Sequence, residues 1–242
     1  MKISVYYTPE STPENDVPDC AVVIDVLRAT TTIATALNNG ANSIKAYSNL
    51  DLLKQESDEI APDDRLRLGE RGGKQVDFCD LGNSPLACTT DVVSSKQLFM
   101  STTNGTRALQ RVKSASTVLT GAMINYSAVV DYLKVNKPEN VWFVGSGWEG
   151  DYSLEDTVCA GAIASDLVDL TDAEVLGNDE VLASIALYQQ WKDDLVKLFC
   201  LSAHGQRLIR LNLDEDLKYC AETNIMSVLP SQDNKGVITI AN

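Results

Sequence analysis

Three times along the chain, an apolar run of strand length ends in small polar residues and continues as a helical pattern. The three segments are VVID-VLRATT-TIATAL at 22–37, LFMS-TTNGT-RALQRV at 98–112 and VWFV-GSGWEGDYSLED-TVCAGAIASDL at 141–167. Unbroken apolar runs are typical of strands that are buried on both faces. Because the carboxyl ends of parallel strands meet at one edge of a sheet, the three polar loops are predicted to frame one anion site. The alternative for any single loop is an ordinary helix cap or turn.

The alternation of strand and helix patterns predicts an α/β fold, with a mostly parallel or mixed sheet between helical layers. Strands are predicted near 2–7, 20–25, 42–47, 66–69, 97–101, 116–120 and 140–145, with two more in MSVLP and GVITIAN. Helices are predicted near 30–39, 49–59, 104–113, 125–136, 154–169, 179–199 and 203–222. We expect a single domain over 1–242, with a lobe boundary near 145–155 if the body divides, because no linker-like tract separates two parts.

The charge of the chain limits its partners. The formal net charge is -14 and the pI is near 4.4, which disfavours nucleic acid and anionic membrane surfaces as partners. No apolar stretch approaches the ~20 residues of a membrane span, and MKISVYYTPE lacks a signal-peptide core. The six cysteines form no CxxC pair. We therefore expect a cytoplasmic protein with reduced, mostly buried thiols.

Asp25 closes the first apolar run, where a carboxylate loses hydration unless a cation or several donors compensate. Three roles are open to it: a Mg²⁺ ligand, a nucleophile toward phosphorus, or an ion-pair partner of Arg28. The planar guanidinium of Arg28 suits phosphate or carboxylate. Thr30, Thr31 and Thr32 follow at the predicted helix start, where one hydroxyl can cap the helix and the others can donate to a ligand.

The segment LGERGGKQVDFCDLGNSP gathers charges around a glycine pair. Its candidate ligand-binding residues are Glu70, Arg71, Gly72, Gly73, Lys74, Asn83 and Ser84. Two glycines let backbone amides approach a ligand closely, but the order differs from the GxxxxGK[ST] of a nucleotide P-loop. The alternative interpretation is a surface turn with solvated charges, and Asn-Ser-Pro is typical of a capped helix start.

Two further loops carry candidate residues. In STTNGTRAL the candidates are Thr102, Thr103, Asn104, Gly105, Thr106 and Arg107, which can surround an anion or form a turn. In SLEDT, Ser153 is predicted to be the N-cap of a helix, with Glu155 and Asp156 in its first turn. Local evidence alone favours capping over metal binding for these two acids. The only histidine, His204, is interpreted as a helix-start residue, and LSAHGQRL lacks a nucleophile elbow.

Taken together, the motifs DVLRATTT, GERGG with GNSP, STTNGTRAL, the SLED helix start and SAHGQRL resemble the 2-phosphosulfolactate phosphatase family, the ComB-like proteins. The resemblance runs over nearly the whole chain, and the order of the motifs is more specific than any one of them. It implies a ComB-like α/β fold and a Mg²⁺-dependent phosphatase. The implied reaction converts 2-phospho-3-sulfolactate to 3-sulfolactate and phosphate, a step of coenzyme M biosynthesis.

Under this resemblance, the site residues take expected roles. Mg²⁺ is expected at Asp25 with one or two of Glu70, Glu155 and Asp156. The expected catalytic residues are Asp25, Arg28, Arg71 and Arg107. The expected substrate-binding residues are Thr30, Thr31, Gly72, Gly73, Lys74, Asn83, Ser84, Thr102, Thr103, Asn104, Gly105 and Thr106. The partner is expected to be a small anionic phosphorylated substrate, and a homodimer is a possible assembly.

Two other functions remain open from the sequence. The first is a Mg²⁺ phosphoesterase that acts on another small phosphorylated hydroxyacid, because a family resemblance identifies the chemistry at phosphate better than it identifies the rest of the substrate. The second is a non-catalytic anion-binding protein. A pure binder has little reason to place acids such as Asp25, Glu70 and Asp156 near a bound anion, which argues against the second function.

Overall fold

The computed structural model describes residues 1–241 and has the alternating order of strands and helices that the sequence predicts. The strands are β1 (Lys2–Tyr6), β2 (Cys20–Ile24), β3 (Ser43–Ala46), β4 (Arg65–Arg71), β5 (Lys74–Gln75), β6 (Gln97–Ser101), β7 (Thr117–Gly121), β8 (Asn140–Gly145), β9 (Pro230–Gln232) and β10 (Val237–Ile240). The helices are α1 (Ala29–Asn38), α2 (Leu50–Asp58), α3 (Thr90–Val93), α4 (Gly105–Val112), α5 (Tyr126–Asn136), α6 (Leu154–Ser165), α7 (Asp179–Trp191), α8 (Leu195–Leu201), α9 (Ala203–Arg210) and α10 (Asp214–Cys220). The predicted α/β class is confirmed.

The predicted elements differ from the observed ones mainly near the C-terminus. The helix predicted over 179–199 is two helices, because Asp194 starts a new one by accepting a hydrogen bond from the Lys197 backbone. The helix predicted over 203–222 is also two, separated at Asn212, whose φ of 57° lies in the left-handed region. These predictions were wrong because both breaks depend on one polar residue within an otherwise continuous helical pattern.

All ten strands form one mixed sheet with two parallel groups. The order is β1-β8-β2-β7-β9-β10-β3-β6-β4-β5. The strands β1, β8, β2 and β7 are parallel to one another, and so are β3, β6 and β4. Between the groups, β9 and β10 make three successive antiparallel pairings. An odd number of reversals means that the two groups run in opposite directions along the sheet.

The strand β2 lies at the centre of the core and is buried on both faces. Val22 and Ile24 pack with α5, α6 and α7 in one apolar cluster. Ala21 and Val23 belong to a second cluster, which also contains α1, α4 and side chains of β3, β4 and β6. The unbroken apolar run at the start of the first motif is therefore explained, because helical layers cover both faces of the strand.

The three polar loops do meet, but not at a common edge of parallel strands. The loops after β2 and β8 come from one parallel group, whereas the loop after β6 comes from the opposed group. A sheet twists by roughly 20–25° for each strand, so strands several positions apart are strongly rotated relative to each other. The two groups share the core around α1 and α4, and this packing brings the β6 loop to the end of β2.

The six cysteines are free thiols; five are buried and Cys200 is half-buried. Burial raises the pKa of Cys20 and of Cys88 to about 12 each, so both thiols stay protonated at neutral pH. The expectation of reduced, mostly buried thiols is confirmed. Within residues 1–241, no helix has the length and apolar character needed to cross a bilayer.

Gly161→Ala is expected to destabilise the protein, because Gly161 lets α6 approach α7 at backbone distance. A Cβ atom at this position would lie 2.0 Å from the Ser184 carbonyl oxygen. We expect the free energy of unfolding in urea to fall by about 1–3 kcal/mol. Gly82→Ala is the control, since its Cβ would make an ordinary contact 3.6 Å from Gln75. Equal losses for the two variants would contradict this packing.

Candidate active site

The carboxylate of Asp25 lies at the end of β2 and caps the start of α1. Its Oδ1 accepts a hydrogen bond from the Ala29 backbone at 3.1 Å, and only 6% of the residue is exposed. Its Oδ2 lies 2.8 Å from where a Cβ atom on Gly105 would be, so glycine is needed for the close approach of the β6 loop. Burial raises the pKa of Asp25 to about 6. Glu155 and Glu70 add to the increase, while the Ala29 amide and His204 oppose it.

Arg28 forms its ion pair with Asp216 of α10, and not with Asp25 as one of the sequence interpretations held. Asp216 also accepts a hydrogen bond from Ser84 Oγ at 2.6 Å. The peptide bond between Leu27 and Arg28 is cis. Both Arg28 and Asp216 are buried, so this pair joins the start of α1 to α10 and to the turn that contains Ser84.

The threonines that follow Arg28 form internal hydrogen bonds. Thr30 Oγ1 accepts from the Asp25 backbone at 3.0 Å, Thr31 Oγ1 donates to the Val26 carbonyl, and Thr32 Oγ1 donates to the Asn83 carbonyl. All three are buried. The predicted substrate-binding pair Thr30 and Thr31 thus supports the loop, and the cap of α1 is the Asp25 carboxylate, not a hydroxyl.

The segment with the glycine pair is a hairpin formed by β4 and β5. Gly72 and Gly73 have φ values of 59° and 80°, which favour glycine. The carboxylate of Glu70 accepts hydrogen bonds from the Gly73 amide and from Thr103 Oγ1, the latter at 3.3 Å. Glu70 is 8% exposed, so the hairpin holds a second buried carboxylate close to the β6 loop.

The other two charges of this hairpin lie away from Asp25. Arg71 donates hydrogen bonds to the Glu70 carbonyl and to Ser101 Oγ. Lys74 is exposed on β5. The structure therefore brings Glu70 and Gly73 to the cavity that Asp25 lines, but not Arg71 or Lys74.

One small cavity collects most of the buried polar groups. Its lining contains Asp25, Leu27, Arg28, Glu70, Gly73, Asn83, Thr102, Thr103, Asn104, Trp148 and His204. Three side-chain oxygens on this lining are buried and lack a hydrogen-bond partner within residues 1–241: Asn83 Oδ1, Thr102 Oγ1 and Asn104 Oδ1. A buried polar atom without a partner is costly, so the cavity is suited to a ligand that satisfies these groups.

The cavity is small. Its free volume is about 20 Å³, which admits about one water molecule and is far below the roughly 300 Å³ of a small-molecule site. A wider cavity of about 520 Å³ lies between α2, α4 and the β9–β10 hairpin, but Thr106 is the only predicted site residue on its lining. The buried acids mark the smaller cavity as the candidate site.

Arg107 and Thr106 lie outside this site. Arg107 forms an ion pair with Glu10 at 2.8 Å and lines a surface groove next to Arg111. Thr106 Oγ1 donates to the Thr102 carbonyl at 2.9 Å. Of the residues predicted in STTNGTRAL, Thr102, Thr103 and Asn104 line the cavity, and Gly105 packs against Asp25.

Asp156 connects the loops that follow β2 and β8. Its Oδ1 accepts from the Val26 amide at 2.9 Å, and its Oδ2 accepts from the Ser146 and Gly147 amides. Burial raises the pKa of Asp156, and the charges of Asp25 and Glu155 raise it further. Since backbone donors occupy both oxygens, Asp156 fixes the loops beside Asp25 without lining the cavity. The predicted cap also forms, because Ser153 Oγ accepts from the Asp156 amide.

His204 and Trp148 also line the cavity. Trp148 belongs to the third of the polar loops predicted to frame the site, whereas His204 was expected only as a helix-start residue. The rings stack with centroids 4.0 Å apart and 18° between their planes. His204 Nδ1 lies 3.4 Å from Glu155 Oε1, and Glu155 is only 2% exposed. His204 does start α9, as predicted. Its approach to Trp148 depends on the docking of α9, which no local motif signals.

The acids of the site suit a metal ion that keeps positions for water and substrate, and not an ion that is enclosed by protein ligands. In the part of the chain that the structure describes, no three His, Cys, Asp or Glu side chains are grouped to hold one metal ion. Mg²⁺ is usually bound by one or two carboxylates together with waters and substrate phosphate. Asp25 and Glu70, with the unpartnered oxygens of Asn83, Thr102 and Asn104, provide the hard oxygen donors of such a site.

Comparisons with known proteins agree on one family. The sequence model of 2-phosphosulpholactate phosphatase matches residues 6–235. A protein of Microcystis aeruginosa named "Probable 2-phosphosulfolactate phosphatase" is 58% identical over 238 residues, covering 98% of this chain and 99% of the relative. Proteins of the same name from Synechocystis sp. and Trichormus variabilis are 56% and 55% identical, and each alignment covers 100% of both chains.

Asp25→Asn is expected to stabilise the metal-free protein at neutral pH. The pKa of Asp25 is about 6 in the folded protein, against about 3.9 in an unfolded chain. The unfolded chain releases this proton first, so the folded state loses stability as the pH rises from about 4 to about 6. Asparagine keeps the acceptor for Ala29 without the charge. The free energy of unfolding, measured in urea with EDTA, is expected to be about 1–3 kcal/mol higher for the variant at pH 7.5, and the difference is expected to approach zero near pH 4.

The control for this measurement is Asp63→Asn, which removes an exposed charge and is expected to leave stability unchanged at both pH values. If Asp25→Asn is less stable than the wild-type protein at pH 7.5, Asp25 is not a destabilising buried charge.

Proposed function

The chain belongs to the 2-phosphosulfolactate phosphatase family, and on that premise we propose that it is a phosphoric monoester hydrolase that converts 2-phospho-3-sulfolactate to 3-sulfolactate and phosphate. The similarity to relatives of that name extends over the full length of both chains. The observation that carries the proposal is the cavity, in which two buried carboxylates face three unpartnered side-chain oxygens beside Arg28. Such a set of oxygen acceptors is suited to a cation, and the bound cation can in turn bind the phosphate of a substrate.

Mg²⁺ is the proposed cofactor, with Asp25 and Glu70 as its protein ligands. Asp25 has one oxygen committed to α1, and its other oxygen faces the Gly105 loop. Glu70 reaches the same cavity from the opposed strand group. When bound, Mg²⁺ would supply positive charge to the phosphoryl oxygens.

The acids Glu155 and Asp156 have supporting roles in this proposal. The oxygens of Asp156 accept three backbone hydrogen bonds, and Glu155 faces His204. Asp156 fixes the loop that carries Asp25, while Glu155 orients His204. Of the three acids expected to join Asp25 as metal ligands, only Glu70 is therefore proposed here.

The phosphoryl group is proposed to lie between Arg28 and the loop Thr102–Asn104. Arg28 lines the cavity and is held in place by Asp216, so its guanidinium is oriented before the substrate binds. Asn83 and Asn104 carry amide groups that can donate as well as accept. The start of α4 directly after Asn104 adds the positive end of a helix dipole.

Asp25 as a metal ligand differs in a testable way from Asp25 as a nucleophile. A nucleophilic aspartate would form an aspartyl phosphate, whose bond to phosphorus water then breaks, so that the water oxygen leaves with phosphate. Quenching during turnover, reduction with borohydride and mass spectrometry of the peptide that contains Asp25 separate the two roles, because borohydride reduces an aspartyl phosphate to homoserine. We expect no homoserine at position 25; its appearance would replace the ligand role with the covalent one.

The cytoplasm is the proposed compartment. The cysteines of the chain are free thiols, which suits a reducing environment. The net charge of -14 would also oppose adsorption to nucleic acid or anionic lipid.

Phosphate release from 2-phospho-3-sulfolactate is the direct test of the activity. We expect turnover that EDTA abolishes and Mg²⁺ restores. A panel of other phosphorylated hydroxyacids belongs in the same assay. Turnover of another acid in preference to phosphosulfolactate would move the assignment to a different phosphoesterase, and binding without turnover of any panel member would indicate an anion-binding protein.

Asp25→Asn is expected to lower kcat at saturating Mg²⁺ by at least about 100-fold, since it removes a charged group at the reacting centre. The matched control, Asp63→Asn, changes an exposed carboxylate and is expected to keep full activity. Full activity of Asp25→Asn at limiting Mg²⁺ would refute the metal-ligand role of Asp25 and its alternative role as a nucleophile.

A further inference from the structure

Arg207 lies behind the cavity wall formed by Trp148 and the hairpin glycines. It follows His204 by one turn of α9, on the same helix face. Its guanidinium carbon is 5.6 Å from the centre of the Trp148 ring, and its Nη2 donates to the Gly72 carbonyl. A Cβ atom on Gly73 would lie 3.6 Å from Arg207 Nε. The side chain thus contacts two residues that line the cavity, Trp148 and the hairpin at Gly73.

The guanidinium of Arg207 is incompletely satisfied. Its Nε is buried and has no acceptor within residues 1–241. Nη2 donates to a neutral backbone carbonyl, whereas Arg28 is paired with Asp216 and Arg107 is paired with Glu10. Arg207 therefore has no acidic partner within residues 1–241, and its Nε–H is available to an acceptor directly next to an acid-rich cavity.

The charge of the cavity makes such a cation necessary for the proposed substrate. Asp25 and Glu70 line the cavity, and Glu155 lies against His204 of the same lining, so together they repel any anionic group that Mg²⁺ and Arg28 do not hold. A phosphorylated sulfolactate carries a carboxylate and a sulfonate in addition to its phosphate. One of these groups must meet a separate donor, and the paired Nε and Nη2 of a guanidinium match a carboxylate or sulfonate with two parallel hydrogen bonds.

We propose that Arg207 is a specificity-determining residue that binds a second anionic group of the substrate, a carboxylate or sulfonate, in place of the Gly72 carbonyl. This inference rests on the proposed phosphatase function. The Trp148 ring lies next to the guanidinium, at a distance at which aromatic rings attract arginine. Nε, which now lacks an acceptor, gains one when the substrate binds.

The substitution Arg207→Gln tests this inference. Steady-state kinetics in the presence of Mg²⁺ compare the variant with the wild-type protein on 2-phospho-3-sulfolactate and on a substrate that lacks the two tail anions. Glycerol 2-phosphate has the same three-carbon skeleton, with neutral hydroxyls in place of both tail anions. For 2-phospho-3-sulfolactate, the KM is expected to rise by about 10- to 100-fold, the effect of losing a charge-assisted hydrogen-bonded pair. The KM for glycerol 2-phosphate and the Ki for inorganic phosphate are expected to stay within about threefold.

Two substrates identify the anionic group that Arg207 binds. 2-Phospholactate keeps the carboxylate and lacks the sulfonate, whereas 2-(phosphonooxy)ethanesulfonate keeps the sulfonate and lacks the carboxylate. The substrate whose KM rises in Arg207→Gln carries the group that Arg207 contacts. Arg210→Gln removes an exposed charge from the same helix and is expected to change none of these constants. Arg207→Lys is expected to recover part of the loss.

Other results would overturn the inference. An equal loss for all substrates, including glycerol 2-phosphate, would assign Arg207 a structural role, and unchanged constants would leave it no role in recognition. Both results are compatible with the phosphatase function, which the wild-type activity tests separately. A wild-type protein without turnover of 2-phospho-3-sulfolactate would defeat the proposed function and this inference together.

Discussion

The arrangement of the site depends on the burial of one carboxylate, Asp25, at the start of α1. An ionised group in this position is tolerated because the first amide of α1 donates to Oδ1 and the positive end of the helix dipole faces it. Burial opposes its ionisation, and the charges of Glu155 and Glu70 add to the effect, so its pKa is raised to about 6. Within residues 1–241, neither Asp25 nor Glu70 forms an ion pair, although both line one cavity. Holding such carboxylates together is costly, and a bound divalent cation would offset that cost.

The other features of the site hold the neighbours of Asp25 in place. Asp156 binds three amides from the loops after β2 and β8, and Gly105 lets the β6 loop touch Asp25. Arg28 is oriented by Asp216, which belongs to α10. The C-terminal helices therefore complete the site, because α9 supplies His204 to the cavity lining and α10 supplies the Asp216 that holds Arg28.

Much of this could be predicted from local sequence, and the remainder could not. Unbroken apolar runs such as CAVVI identify strands buried on both faces, and the polar residues after them identify the loops that line the cavity. The opposed directions of the two strand groups depend on the pairing of β9 with β7, which involves chain segments more than 100 residues apart. The pairing of Arg28 with Asp216 has the same origin, since periodicity carries no information about which distant side chains meet. Arg71 and Arg107 show the converse limit, because their chemistry suited the site but their side chains lie elsewhere.

The central claim is that the cavity lined by Asp25 and Glu70 holds a divalent cation together with phosphate. A crystal structure of the protein with Mn²⁺ and inorganic phosphate, with the metal located by its anomalous scattering, tests this most directly. The account predicts one Mn²⁺ within about 2.5 Å of an oxygen of Asp25 and of Glu70, with the phosphate between the metal and Arg28. Phosphate bound in the cavity with no metal at these carboxylates, or a metal held at another site, would contradict the account.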